Sequence, residues 1–223
     1  MPKPEKTNTT NEGYSSRAKS LVKSGESQTR EILAPEMNEA ILDEYFLPFS
    51  LEVDSSIPPS QSVVIILPGQ YEEWRLTELK DVWRGFADIV IIAATRGNPF
   101  YDATDVSDAV GITEDKMILH RFAENTRDQM DQVTEAVSGL SVKQVIISTA
   151  AYHTPRCVYT FVKSCLDRDL ERSFRLAVLP TFGPDLGSPI PAEKASSEIE
   201  RLKRYQQKGD VATKEEYLLF LET

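Results

Sequence analysis

A histidine and an arginine three residues apart form the strongest chemical signal in this chain. Segment 149–156, Thr-Ala-Ala-Tyr-His-Thr-Pro-Arg, directly follows the apolar run 145–147 and precedes a helical pattern of apolar residues. A buried strand is therefore expected to deliver His153 and Arg156 onto the first turn of a helix, where an α/β sheet places its ligands. A guanidinium there can hold an anionic group. The imidazole can orient a ligand, or it can act as a general acid or base.

Tyr152 lies beside this pair, and two interpretations of it stay open. Its ring can stack on a ligand base, or it can close the core beneath the loop.

Arginines also follow the predicted ends of the other strands. Together with the arginine already named, they are Arg75, Arg96, Arg121 and Arg156. Because the carboxyl ends of parallel strands meet at one edge, these cations are expected to converge there with helix N-termini. The combination favours an anionic ligand such as phosphate, carboxylate or nucleotide. For any single arginine, pairing with a loop carboxylate is the more common outcome. The available carboxylates are Glu72, Glu73, Asp102, Asp105 and Glu124.

The elements that position these side chains alternate regularly along the chain. Apolar runs predict strands at 63–67, 88–94, 116–120, 144–148 and 174–179, with Pro180 ending the last one. Helical patterns separate them, which is typical of a doubly wound, mainly parallel α/β sheet of Rossmann-like type. We predict the strand order 3-2-1-4-5. The ligand crevice then lies between the ends of strands one and four, which carry Gly69, Gln70 and segment 150–153.

Several residues have a predicted structural role within these elements. Asn125 or Thr126 is expected to cap the helix before strand four, and Gly139 to end it. Gly111 is expected to end a short helix that begins at Thr104. Three further side chains are expected in the core. They are Trp83, Cys157 and Cys165.

The chain divides into four predicted segments. Residues 1–29 form a disordered polar tail, and 30–60 form an N-terminal helix with a linker. Residues 61–181 form the Rossmann-like domain. Residues 182–223 form two helices, divided at 209–210, that are expected to pack on the same domain. Their packing residues are predicted to be Ile199, Leu202, Tyr205, Tyr217, Leu218 and Leu221.

Composition narrows the classes of function. The net charge of −10 argues against nucleic acid and anionic membranes as partners. Two histidines and two cysteines without close spacing give no metal-site signature. Glycine-rich dinucleotide loops, Walker loops and Gly-x-Ser-x-Gly elbows do not occur. With no apolar stretch near the length of a membrane span, we expect a cytoplasmic protein, with a homo-oligomer as an open alternative.

Three sequence elements occur in an order typical of one bacterial family. The first is Pro68-Gly69-Gln70 with an arginine, Arg75, on the next helix. The second, at 125–129, is Asn-Thr-Arg-Asp-Gln, which matches part of a Ser-x-Asn-Thr-x-Glu-Asn pattern. The third, Thr-Ala-Ala-Tyr-His-Thr-Pro-Arg-Cys at 149–157, matches Thr-Ser-x-Tyr-His-x-x-Arg-Ala. Over residues 61–181 the chain therefore resembles the YdcF-like family, which includes the SanA and ElyC envelope proteins.

The resemblance implies a Rossmann-like sheet and, in the YdcF branch, a site for S-adenosylmethionine. The chain departs from the family pattern in three places. Its first loop has the single Gly69, Ala150 replaces a serine, and 94–97 reads Ala-Thr-Arg-Gly where Ser-Gly-Gly is frequent. These changes are expected to alter ligand choice or to remove activity. SanA-like and ElyC-like members also carry a membrane anchor, which we do not expect here.

The first functional hypothesis is a protein that binds an anionic or nucleotide-like small molecule in the crevice. Its predicted ligand-binding residues are Gly69, Gln70, Arg75, Arg96, Asn125, Thr126, Tyr152 and Arg156. The second is a transferase or hydrolase with His153 as its general acid or base. The third is a noncatalytic interaction protein whose C-terminal helices bind a partner and whose site is vestigial.

Overall fold

The computed structural model describes residues 45–46, 51–68, 76, 83–95, 103–170, 174–181 and 192–222. Within these residues, parallel strands form one sheet in the order β3-β2-β1-β4-β5. The strands are β1 Ser62–Ile66, β2 Ile89–Thr95, β3 Met117–Ala123, β4 Gln144–Ala150 and β5 Arg175–Thr181. The predicted α/β Rossmann-like fold and its strand order are confirmed.

Helices cover both faces of this sheet, which explains why the central strands β1 and β4 are buried along their whole length. On one face, the α1 face, lie helix α1 (Ala103–Val110), Leu76 and Trp83. The opposite face, the α3 face, carries the other α-helices whose bounds the structure describes. These are α2 (Thr126–Ser138), α3 (Thr154–Leu166), α4 (Ala192–Lys208) and α5 (Lys214–Glu222). Successive residues of a strand point to opposite faces, so β1 buries one half of its side chains in each core.

The ends of two strands differ from the prediction. Strand β3 continues to Ala123, so Arg121 lies inside the strand rather than after it. Strand β5 runs through Pro180 to Thr181, so the prediction that Pro180 ends it is wrong. Both are edge strands. An edge strand tolerates proline because only one side of its backbone has to bond to a neighbour.

The predicted helix ends are confirmed. Asn125 caps α2, and its side-chain Oδ1 accepts a hydrogen bond of 3.0 Å from the backbone N–H of Asp128. Gly139 follows the last residue of α2. Gly111 follows α1 with a φ of 69°, the left-handed conformation that favours glycine.

The predicted core residues are also confirmed. Trp83 is 3% exposed, and its Nε1 donates a hydrogen bond of 3.2 Å to the carbonyl oxygen of Val110. Cys157 and Cys165 are free thiols buried in the core of the α3 face.

The C-terminal helices pack on the α3 face, but only part of their predicted apolar surface is buried. Leu202, Tyr217 and Phe220 belong to the core. Leu218 and Leu221 are 47% and 40% exposed, so the prediction that they pack on the domain is wrong. Helix α5 has apolar residues around most of its circumference, and only the side with Tyr217 and Phe220 meets the core.

Of the predicted N-terminal helix, the described residues are Tyr45, at a helical position, and Phe46. The predicted tail at 1–29 lies outside the described residues. Among the residues that the structure describes, no helix is both long enough and apolar enough to cross a membrane.

Candidate functional site

The guanidinium of Arg156 lies against a carboxylate from the C-terminal extension. Arg156 is on the first turn of α3, and Glu198 is on the first half of α4. Nε of Arg156 donates to Oε2 of Glu198 at 2.7 Å, and Nη2 donates to Oε1 at 3.2 Å. The two side chains are 11% and 7% exposed. This bidentate pair is therefore shielded from water, which strengthens its electrostatic attraction.

His153 shares the same carboxylate. Its Nδ1 lies 3.0 Å from Oε2 of Glu198 and 3.0 Å from Nη2 of Arg156. An acceptor at Nδ1 would face the ionised carboxylate lone pair to lone pair. A donor at Nδ1 would in turn face the N–H of Arg156 Nη2, so the geometry permits both tautomers, and the one with its proton on Nδ1 donates a hydrogen bond to Glu198. In a neutral ring the lone pair is then on Nε2, the arrangement that a carboxylate gives a general-base histidine.

Two further side chains complete this cluster, which we call the Glu198 cluster: Thr126, His153, Arg156, Glu198 and Arg201. Nη1 of Arg156 donates to Oγ1 of Thr126, and Nη1 of Arg201 donates to Oε1 of Glu198 at 2.9 Å. The cluster joins the first turns of α2 and α3 to α4.

The pKa values of the central pair reflect this environment. Burial by itself would raise the pKa of Glu198. The hydrogen bonds and charges of His153 and Arg156 outweigh burial and hold the pKa of Glu198 far below its usual range. Burial lowers the pKa of Arg156, but the Glu198 carboxylate more than compensates, and the net shift is upward. Both groups are therefore charged at neutral pH.

Glu198, like Arg201 beside it, is a residue of this site that the sequence analysis missed. It lies 42 residues from Arg156 in a helix that is polar in composition. A signal was nevertheless present. Glu198 precedes Leu202 by four residues and Tyr205 by seven, which places a carboxylate on the stripe of α4 that faces the core.

A cavity of about 450 Å³ begins beside Arg156 and follows the groove between α2 and α3. We call it the α2–α3 cavity. Its walls are Asn125, Thr126, Arg127, Asp128, Asp131, Arg156, Thr160, Tyr205, Lys208, Asp210 and Val211. The structure thus brings together the predicted site residues Asn125, Thr126 and Arg156. The volume of the cavity lies within the range of small-molecule binding sites.

The other predicted site residues divide into two groups. Tyr152 is partly buried beside His153, with the two ring centroids 6.4 Å apart. The predicted residues Gly69, Gln70, Arg75 and Arg96 lie outside the described residues.

Two buried hydroxyls mark the carboxyl edge of the sheet. Ser148 is 1% exposed, and Thr181 is 2% exposed. Across the described part of the chain, neither Oγ of Ser148 nor Oγ1 of Thr181 has a hydrogen-bond partner. Buried hydroxyls are nearly always hydrogen-bonded, so each such orphan group requires an explanation.

Both hydroxyls point to the α1 face. Ile146 and Leu179 pack in the core of that face, and side chains two residues further along a strand share its direction. Ser148 is opposite Ile66 of β1 in the parallel register, and its carbonyl oxygen accepts a bond of 3.2 Å from the N–H of Leu67. The orphan hydroxyl of Ser148 therefore lies where β1 and β4 end side by side.

The described residues contain two more orphan groups and no cluster of metal-binding side chains. The orphan groups are Oγ1 of Thr95 and Nε2 of His120. Burial lowers the pKa of His120, so burial favours its neutral form. Among the described residues, no three His, Cys, Asp or Glu side chains are grouped so that they could hold a metal ion.

Comparison of the chain with family models, with curated proteins and with solved structures gave no match.

Proposed function

We propose that this chain is a cytoplasmic YdcF-like protein that binds an anionic or nucleotide-like small molecule at the carboxyl ends of β1 and β4. The observation that carries this proposal is the orphan hydroxyl of Ser148, buried at the junction of these two strands. A ligand hydroxyl or phosphate oxygen would supply the missing partner.

The topology supports the choice of this edge. The order β3-β2-β1-β4-β5 reverses direction between β1 and β4. Helix α1, which follows β2, covers one face, whereas α3, which follows β4, covers the other. Open α/β sheets bind their ligands in the crevice that such a reversal creates.

The charge of the Glu198 cluster supports an anion over a cation. Arg156 and Arg201 contribute two positive charges and Glu198 one negative charge, so the net charge of the cluster is +1 with a neutral imidazole and +2 with a protonated one. Because Glu198 already holds Arg156, we assign Arg156 a positioning role. It fixes the start of α3 and the carboxylate beside His153.

S-adenosylmethionine is the ligand that the family resemblance suggests. Its ribose hydroxyls can both donate to and accept from Ser148, so the orphan group fits a nucleoside of this kind. The resemblance also depends on Asn125, Thr126, His153 and Arg156. Three of these belong to the Glu198 cluster, and Asn125 caps the helix that Thr126 begins.

The two buried thiols agree with a reducing compartment. Cys157 and Cys165 are both free. Unpaired cysteines are typical of cytosolic proteins, whereas secreted domains of small size tend to pair theirs.

The test is calorimetric titration of the purified chain with S-adenosylmethionine, adenosine monophosphate and inorganic phosphate. We expect at least one of them to bind, and Ser148→Ala to weaken that affinity about tenfold, which corresponds to one lost hydrogen bond. Ser138→Ala is the matched control. Ser138 is an exposed serine whose Oγ donates to the carbonyl oxygen of Glu135, and its loss is expected to leave binding unchanged.

Stability separates this role from a structural one. Removing a buried hydroxyl without a partner is expected to leave the free energy of unfolding of the ligand-free protein equal or higher. Binding of every probe equally by Ser148→Ala and the parent would overturn the proposal, and so would a clear loss of stability in the ligand-free variant.

A second function, catalysis by His153 as a general base, is favoured by the Glu198 contact at Nδ1. The test is turnover of p-nitrophenyl phosphate and p-nitrophenyl acetate. If either is a substrate, His153→Gln is expected to lower kcat about 10²–10⁴-fold. His120→Gln is the control with the other histidine of the chain. Unchanged turnover in His153→Gln excludes this role.

A further inference from the structure

The α2–α3 cavity lies on the α3 face, whereas the orphan hydroxyl of Ser148 points to the α1 face, so the proposed function assigns no ligand to this cavity. It continues from Arg156 past the second turns of α2 and α3, where Asp131 and Thr160 line it. The C-terminal end of α4 and the turn after it form the opposite wall, with Tyr205, Lys208 and Asp210.

The charged side chains that line the cavity have a net charge of zero. Three are cations and three are carboxylates: Arg127, Arg156, Lys208, Asp128, Asp131 and Asp210. A lining without net charge gives little preference for a simple anion or a simple cation. It suits a ligand that carries both charges or none.

Protein groups already bind four of these six side chains. Arg127 pairs with Asp131 at 3.0 Å and with Asp167 at 2.7 Å, and Arg156 is held by Glu198. The carboxylate of Asp128 accepts hydrogen bonds from the N–H of Glu124 and from Nε2 of Gln132.

Lys208 and Asp210 differ from these four side chains in their ion pairing. Among the described residues, neither side chain has an ion-pair partner. Nζ of Lys208 lies 5.9 Å from the ring centroid of Tyr205. Gly209, which separates them, has a φ of 76° and turns the chain between the two charges. One ammonium and one carboxylate therefore line the same cavity without an ion-pair partner in the described part of the chain.

We propose that the α2–α3 cavity binds a small amino acid in its zwitterionic form. Lys208 binds the ligand carboxylate, and Asp210 binds the ligand ammonium group. Thr160 and Tyr205, which also line the cavity, contact the ligand side chain. The volume of about 450 Å³ is sufficient for a single amino acid.

The experiment is titration calorimetry of the full chain with each of the twenty proteinogenic amino acids. We expect at least one to bind, and its N-acetyl and carboxamide derivatives to bind at least tenfold more weakly, because each lacks one of the two charges. Lys208→Met and Asp210→Asn are each expected to weaken binding about tenfold, the loss of one charge-assisted hydrogen bond.

Matched variants separate recognition from folding. Lys208→Arg keeps the charge and is expected to retain binding. Lys203→Met removes a cation of the same helix that lies over the ring of Tyr45, outside the cavity, and is expected to have no effect. Ser148→Ala is also expected to have no effect, so this proposal and the proposed function can fail independently.

Three outcomes would overturn the proposal. The first is that no free amino acid binds. The second is that an amino acid binds equally well to Lys208→Met, Asp210→Asn and the parent. The third is that inorganic phosphate competes for the site as well as the amino acid does, which would indicate an anion site instead.

Discussion

Glu198, like Arg156, contacts three other members of the Glu198 cluster. Its two carboxylate oxygens contact Arg156, Arg201 and His153, and the side chain is only 7% exposed. A buried ion pair is costly to form because both charges lose water. Removal of one partner costs more still, because the other charge stays buried without compensation.

We predict that Glu198→Gln destabilises the protein by about 3–5 kcal/mol, the range for breaking a buried pair by removing one partner. The free energy of unfolding in urea measures the effect. Glu200→Gln, an exposed carboxylate of the same helix, is the control and is expected to change stability by less than about 0.5 kcal/mol. Equal stabilities for the two variants would contradict the assignment of Glu198 as the centre of the cluster.

The same carboxylate predicts a pH dependence. The pKa of Glu198 is lower in the folded protein than its ordinary value of 4.5. Its stabilising contribution is therefore complete above that value and is lost as the pH falls below it towards the folded pKa. The parent is expected to lose stability more steeply than Glu198→Gln between about pH 4.5 and pH 3. Parallel curves of unfolding free energy against pH for the two proteins would contradict this.

Sequence reasoning identified three of the five members of the Glu198 cluster, namely Thr126, His153 and Arg156. His153 and Arg156 stood out because a short spacing places both on the first turn after a buried strand. Glu198 did not, because its partner lies 42 residues away and no local pattern encodes the docking of α4 on α3. For the same reason, the sequence did not predict that the charge of Arg156 is already taken by a carboxylate of the chain itself.

At the scale of the elements, helix α2 depends on its cap. The Oδ1 atom of Asn125 satisfies the N–H of Asp128 at 3.0 Å, one of the first N–H groups that lack a partner within the helix. The cap also fixes where Thr126 begins the helix and so where its hydroxyl meets Arg156.

We predict that Asn125→Ala lowers the unfolding free energy by about 1 kcal/mol. Asn125→Asp retains an oxygen acceptor and is expected to restore most of the loss. Denaturant titration of the three proteins measures both effects. A stability of Asn125→Ala equal to that of the parent would mean that the cap contributes nothing.

The sequence predicted the interiors of the strands more accurately than it predicted where the strands end. Runs such as Val63 to Ile66 are long and apolar, and they predict buried strands whatever lies beside them. The ends of β3 and β5 depend on pairing with a neighbour. Thr95 pairs with Ala123 after a register shift, and Thr149 pairs with Pro180. The residue types of each strand do not predict either of these pairings.

At the scale of the whole molecule, the C-terminal helices complete the core of the α3 face. Tyr217 packs edge-on against Tyr159 with ring centroids 5.4 Å apart, and Phe220 packs near Phe174 at 6.3 Å. Helix α5 is therefore part of the same folding unit as the sheet.

We predict that Phe220→Ala destabilises the protein by about 3–5 kcal/mol, the cost of emptying a buried aromatic site. Leu219→Ala, one residue earlier on the exposed side of α5, is the matched control and is expected to cost less than about 0.5 kcal/mol. Phe220 is 4% exposed and Leu219 is 63% exposed. Thermal unfolding followed by circular dichroism compares the two. Similar losses would show that α5 does not pack as described.

The strand order was predictable at this scale because strands and helices alternate and the order of a doubly wound sheet has few variants. The convergence of distant side chains on one cluster was not. It depends on how α4 packs against α3 and the segment 151–153 before it, a packing that the amphipathic pattern of α4 permits but does not specify.

The most direct test of the proposed function is the electron density around Ser148 in crystals grown with S-adenosylmethionine, adenosine monophosphate or phosphate. We predict that a polar ligand atom lies within about 3.2 Å of its Oγ, a normal hydrogen-bond distance, at the junction of β1 and β4. The proposal would be contradicted if the ligand were bound elsewhere on the chain and if only apolar atoms contacted the Oγ of Ser148 in every crystal.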